Sequence, residues 1–238
     1  MISGVEIKTQ EIAQVADYLK DLVAKLEPKI CAGEYDLLVV EGVSARIPGT
    51  VVHRLINESY RALGRDEVVP IYLGRDKNGN HSLGVDELEE KYGKARLPEN
   101  AHALILSEII YRGEKIGRLG QFLESRGVTY DAAVVQSAYD EAEYRRWGYV
   151  SERAGYYSGW QYPRSTVDWA DFNDRAVYSP LYKQDWMNIG VWNLLMSAGE
   201  ESVLDPRILS VKQDLKTLQD WIWRGLEFQR AIHALASV

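Results

Sequence analysis

A chain of 238 residues with 46% hydrophobic and 26% charged residues can bury a sizeable core, which excludes a disordered or fibrous protein. Its formal net charge of −7 has the wrong sign for general nucleic-acid binding, which needs surplus Lys and Arg to displace counterions from phosphates. Cys31 is the only cysteine, so no intrachain disulfide or cysteine-built metal cluster can form, and no stretch approaches the ~18 apolar residues of a membrane span. With no basic segment leading into an apolar one at the start, a cytoplasmic protein without membrane contact is the expectation.

From Thr9 to Lys29 apolar residues recur at three- and four-residue steps (Ile12, Val15, Ala16, Leu19, Leu22, Val23, Leu26), which predicts an amphipathic helix that Pro28 and Gly33 end. Tyr35 to Glu41 is a short continuous apolar run, the pattern of a strand buried on both faces. A turn over Gly42–Gly49 leads to a helix over Thr50–Leu63, then a strand over Glu67–Leu73. The connection Gly74–Asn100 is long for a compact domain and carries one short helix over Asp86–Tyr92. Ala101–Ile110 is the strongest strand, Arg112–Arg126 a helix closed by Gly127, and Tyr130–Gln136 a further strand. This alternation predicts an α/β fold, a mainly parallel sheet flanked by helices.

Beyond Ala138 the texture changes. All seven tryptophans, Trp147 to Trp223, lie there with many tyrosines, and Pro206–Ala236 has one long helical pattern. We therefore divide the chain into an α/β core over 1–140, including the N-terminal helix, and an aromatic-rich, mostly helical C-terminal appendage over 141–238. Its rings can stack a base as a hood over the core, or fill a subdomain or a subunit interface. Trp221 and Trp223 cannot face the same way on one helix, so burial against two surfaces is expected, the core and a homodimer or protein partner.

In an open parallel sheet, ligands bind beyond the carboxyl ends of the strands. Two turns stand there, Gly42–Gly49 and Ile110–Ile116. In the second, the strand Ala103–Leu106 is followed by Ser107, Glu108, Ile109, Ile110, Tyr111, Arg112, Gly113, Glu114, Lys115 and Ile116. This frame resembles type I phosphoribosyltransferases, whose strand of about four apolar residues, two acids and two apolar residues leads to a loop around the 5-phosphate of phosphoribosyl pyrophosphate. The turn Val43, Ser44, Ala45, Arg46, Ile47, Pro48, Gly49 resembles the family's pyrophosphate loop, and Gly74–Asn100 lies where the family has its flexible catalytic loop. The likeness spans about 105 residues, under half the chain.

The resemblance implies a phosphoribosyltransferase-like core that binds a phosphorylated ribose or nucleotide through Ser44, Ala45, Arg46, Glu108, Arg112, Gly113, Glu114 and Lys115. It also implies Mg²⁺ if the chain catalyses. The chain departs from the pattern at named positions. Ser107 replaces the first acid of the ribose-hydroxyl pair, Tyr111 stands where an acidic base is common, and Arg112 and Lys115 stand where threonines give hydroxyls to phosphate. Basic side chains hold phosphate as well as hydroxyls do. Two functions remain open: phosphoribosyl transfer to a nucleobase-like acceptor, or a non-catalytic nucleotide sensor or assembly subunit. Catalytic residues are not assigned. The histidines His53, His81, His102 and His233 make no metal motif, and His81 alone is placed for acid–base work.

Overall fold

The computed structural model describes residues 10–42, 45–73, 85–93, 100–110, 113–161, 184–185, 188–189, 209–210 and 213–225. The first helix, α1 (Gln10–Ala32), buries Ile12, Val15, Leu19, Leu22, Val23, Leu26 and Ile30 along one stripe. Pro28 does not end it, contrary to the sequence expectation. Pro lacks the N–H that a helix interior requires, at a cost of about 3 kcal/mol, but burial of Ile30 and the Lys29 ion pair described below lie on the turn beyond it. Gly33 does end it, at φ 70°, with Glu34 N–H donating to Lys29 O at 3.1 Å.

Five strands, β1 (Leu37–Glu41), β2 (Val69–Tyr72), β3 (His102–Ile110), β4 (Thr129–Ser137) and β5 (Tyr156–Gln161), form one sheet in the order β2-β1-β3-β4-β5. Every pair is parallel. Pro70 is tolerated because β2 is an edge strand, where a missing ladder donor costs little. Helices α1 and α2 (Arg46–Ala62) cover one face over Leu38, Val40, Leu104, Leu106, Ala133 and Val135. Helices α3 (Val85–Tyr92) and α4 (Glu114–Ser125) cover the other, over Leu37, Val39, Ala103, Ile105, Ala132 and Val134. The fold is therefore a three-layer α/β sheet, as the alternation of elements predicts.

The sheet continues past residue 140, which the sequence reading does not anticipate. After α5 (Glu141–Arg146), capped by Asp140 accepting from Glu143 N–H at 3.0 Å, β5 pairs with β4. Its residues Tyr156–Trp160 are half-buried and Gln161 is exposed, with no alternation to betray a strand. α1 lies against it. Tyr18 stacks on Trp160 at 5.1 Å between ring centroids, and a Cβ on Gly159 would meet Tyr18 O at 2.0 Å. A short antiparallel pair, β6 (Gln184–Asp185) and β7 (Asn188–Ile189), stands apart from this sheet.

α2 starts at Arg46, four residues before the predicted Thr50. Pro48 and Gly49 read as turn residues, yet Pro fits the first helical turn, whose N–H groups have no intrahelical acceptor. Gly49 lets the helix approach β1, since a Cβ there would lie 2.7 Å from Val40 Cγ2. Helical residues 213–225 pack Leu218 and Ile222 into the α1–α2 side of the core. Trp221 and Trp223 both pack against that same cluster, with Lys20 Nζ 4.7 Å above the Trp221 ring. The two rings therefore do not require a second surface. The rest of the predicted terminal helix, and residues 162–183 with Trp169, Phe172 and Tyr178, lie outside the described residues.

Candidate functional site

The order β2-β1-β3 places the carboxyl ends of β1 and β3 side by side, with α2 leaving one strand toward one face and α4 leaving the other toward the opposite face. This is the point of an open parallel sheet where a crevice forms. A cleft of about 310 Å³ opens there, lined by Glu41, Ser107, Ile109, Ile110 and the first residues of α4, Gly113–Ile116. Glu41 and Ser107 are register partners, and the Ser107 hydroxyl donates to Glu41 Oε2 at 2.8 Å. Lys115 Nζ donates to the other oxygen, Oε1, at 3.0 Å. The Glu41 side chain is 13% exposed and that of Lys115 48%, so the pair joins a strand-anchored carboxylate to a mobile ammonium.

The loop entering α4 is built against aromatic rings. Gly113 has φ 86°, and a Cβ on it would lie 3.0 Å from Tyr144 Cδ1 and 3.1 Å from Tyr149 Cβ. Only glycine satisfies both demands. Among the described residues no side chain caps the start of α4 at Gly113, and a helix start leaves its first N–H groups without intrahelical acceptors. Tyr144 OH donates to Ile110 O at 3.1 Å, which pins the last residue of β3. Burial pushes the Tyr144 phenol up to about 12, so it stays a donor at neutral pH. Trp147, 39% exposed, stands at the rim of this cluster, its ring 6.0 Å from Tyr144 and 6.2 Å from Tyr149.

The predicted site residues divide into groups. Gly113, Glu114 and Lys115 line the cleft. Ala45 is the buried N-cap of α2, and Arg46 is its first residue, close enough to the Tyr72 hydroxyl to lower its pKa against the larger upward effect of burial. Neither is among the described cleft-lining residues. Glu108 is fully buried and also absent from that lining. Ser44, Tyr111, Arg112 and His81 lie outside the described residues, as does most of Gly74–Asn100. Sequence reasoning missed Glu41. The signal was present, since an acid ending a doubly buried strand is as unusual as Glu108.

A second polar cluster lies at the opposite, amino edge of the sheet. Asp131, 2% exposed, receives Lys29 Nζ at 2.9 Å, Tyr35 OH at 3.0 Å and Gly155 N–H at 2.7 Å. Burial alone would raise its pKa, but the donors outweigh it and hold the carboxyl well below the usual range. His102 Nε2, at 3.5 Å from Oδ1, is too distant for a good hydrogen bond, so Lys29 and Gly155 carry most of that effect. The same carboxylate, after burial, drives Tyr35 far above its ordinary value. The cluster ties α1, β3, β4 and β5 together and opens on no cleft of the carboxyl edge.

Two larger hollows lie elsewhere. One of about 450 Å³ is bounded by Val85, Asp86, Arg118, Gln121 and Phe122, and one of about 420 Å³ by Glu124, Gly127–Tyr130, Ser151, Arg153 and Ala154. Neither stands at the carboxyl ends of β1 and β3, and size alone does not outweigh convergent chemistry. Among the described residues no three His, Cys, Asp or Glu groups converge to hold a metal, and no helix is long and apolar enough to cross a membrane.

No family model matches the chain, and no curated protein matches it. A crystal structure of a hypothetical protein from Neisseria gonorrhoeae with bound ppGpp is similar to it at a TM-score of 0.39 and 18% identity, over 69% of this chain and 92% of that one. The α/β fold rests on the chain's own five-stranded parallel sheet.

Proposed function

We propose that the chain binds a phosphorylated ribose or a nucleotide in the cleft at the carboxyl ends of β1 and β3. The observation that carries this reading is the convergence, at the switch in strand order, of Lys115, the first turn of α4 and the Glu41–Ser107 pair. A helix start supplies oriented N–H groups and a positive dipole end, and an ammonium adds a full charge, so a phosphate is the natural occupant. The resemblance to type I phosphoribosyltransferases supports the same placement through the frame Ser107–Ile116. Trp147 is the ring placed to meet a base, since it stands one aromatic neighbour away from Gly113.

Binding without transfer is the better supported form. Glu108, the acid retained from the family's pair, is fully buried and is not among the described cleft-lining residues, and Ser107 stands in place of the other acid. Transfer is the second reading, supported by the sequence frame: displacement of pyrophosphate from phosphoribosyl pyrophosphate, with residues that position the reactants and screen charge. Mg²⁺ would then enter on the diphosphate, with one or two protein carboxylates at most, since Mg²⁺ prefers phosphates and retained waters to an all-protein cage.

The test is a thermal-shift and calorimetric titration with ribose 5-phosphate, phosphoribosyl pyrophosphate and nucleoside monophosphates, with and without Mg²⁺. A ligand at ~100 times its dissociation constant stabilises the native state by ~2.7 kcal/mol, a clear rise in melting temperature. Absence of any shift with all of them would remove the phosphate-site reading. Pyrophosphate release from phosphoribosyl pyrophosphate in the presence of a base would establish transfer.

A further inference from the structure

The phosphate site contains a group that a bare anion would not favour. Glu41 lines the cleft and pairs with Lys115, the cation that the described residues bring to it. We infer that Glu41 is the hydroxyl acceptor of this cleft, so that its ligand is a phosphorylated sugar rather than a bare phosphate or diphosphate. The inference deepens the proposed function and rests on the cleft being the phosphate site.

The argument is an exchange of partners. Ser107 holds Glu41 Oε2 at 2.8 Å, and β1 is paired with β2 on one side and β3 on the other, so the carboxylate is fixed in place. Lys115 is half-exposed on a flexible stem and can turn from Oε1 to a phosphate at the start of α4. Oε1 then faces the cleft with its counter-ion gone and a phosphate nearby. A largely buried carboxylate oxygen in that position is costly unless a donor reaches it. A donor that adds no negative charge and arrives with the phosphate is a hydroxyl of the same molecule. A vicinal diol brings two O–H groups to a carboxylate that Ser107 has already oriented. A bare phosphate gains Lys115 while placing two anions side by side with nothing between them.

Calorimetry in EDTA with ribose 5-phosphate, 2-deoxyribose 5-phosphate and inorganic phosphate tests this on the wild-type chain and on Glu41→Gln. The wild type should bind ribose 5-phosphate about tenfold more tightly than the deoxy sugar phosphate, the scale of a hydrogen bond to a charged group. Glu41→Gln should bring that ratio near one and bind inorganic phosphate more tightly than the wild type, because Lys115 loses its internal counter-ion. Glutamine is close in shape and can still accept from Ser107. If the variant does not fold, Ser107→Ala, which frees the carboxylate to turn, should lower the same ratio severalfold.

The failures are distinguishable. If the wild type binds none of the three, the phosphate-site reading falls and this inference with it. If the ratio persists in Glu41→Gln, phosphate binding stands and Glu41 is not the hydroxyl acceptor. A ratio that emerges only when Mg²⁺ replaces EDTA would put a cation opposite Glu41 and overturn the inference as well.

Discussion

Ser107 and Glu108 are consecutive on β3, yet Ser107 lines the cleft and donates to Glu41, whereas Glu108 is fully buried and is not among the described cleft-lining residues. Their substitutions should therefore separate. Ser107→Ala should cost about 1 kcal/mol of stability and show chiefly in ligand affinity. Glu108→Ala, at a fully buried position, should cost about 2 kcal/mol or more. Paired denaturant melts and titrations check this, and an unchanged melt for Glu108→Ala would contradict its structural role.

Gly113 and Gly127 both have positive φ, 86° and 75°, but only Gly113 has neighbours where a Cβ would go. Gly127→Ala should cost about 1 kcal/mol, the strain of a left-handed alanine alone. Gly113→Ala must also displace Tyr144 or Tyr149, so we expect a larger loss and a weakened response to phosphorylated ligands. Equal melting temperatures for the two variants would rule out the aromatic wall as the constraint.

Asp131 gives the acid limb of stability a definite sign. Its folded pKa lies below the ordinary value of 3.8, so the ionised carboxylate adds stability that is complete above that value and is lost as pH falls toward the folded pKa. Asp131→Asn should cost about 2–3 kcal/mol at pH 7, near the low end for a buried pair because Lys29 keeps access to water. That difference from wild type should shrink as pH falls below about 4. Urea melts at pH 7 and pH 3 measure it, and a constant difference would show that the carboxylate's charge is not what matters.

Leu218 is fully buried between helical residues 213–225 and the α1–α2 side of the core. Leu218→Ala should cost about 3 kcal/mol if that helix melts together with the sheet. A loss below about 1 kcal/mol would mean that the helix unfolds on its own.

Trp147→Ala should weaken a nucleoside monophosphate by about 5- to 150-fold, the ~1–3 kcal/mol of a stacked base, and leave ribose 5-phosphate affinity unchanged. Titrating both ligands decides it. Equal weakening would place the ring against the sugar phosphate or return it to a packing role.

The sheet was legible because β1, β3 and β4 are short apolar runs too continuous for a one-sided strand, separated by helices with clear periodicity. β5 was not, since Tyr156–Gln161 contains three rings and a glycine, and its pairing depends on α1 lying over Gly159. Helix boundaries failed at Pro28 and Pro48 for opposite reasons. The first proline is carried by tertiary burial and the second sits where helices accept it. At the site, the turn after β3 and its resemblance to the family's phosphate loop pointed to Gly113 and Lys115, and both line the cleft. Glu41 escaped because its partners, Ser107 and Lys115, are 66 and 74 residues away, and only strand order makes them neighbours.

The contact between α1 and β5 joins residues 10–32 to residues 156–161. On a ribosome adding ~5–20 residues per second, α1 emerges and waits for several seconds or longer before its strand exists. The stretch of α1 around Tyr18 that meets Gly159 and Trp160 lacks its partner throughout that interval, as does the edge of β4 that β5 will occupy. Synthesis thus holds the chain open at this seam until β5 emerges, and a chaperone that binds apolar helical segments would find a target there.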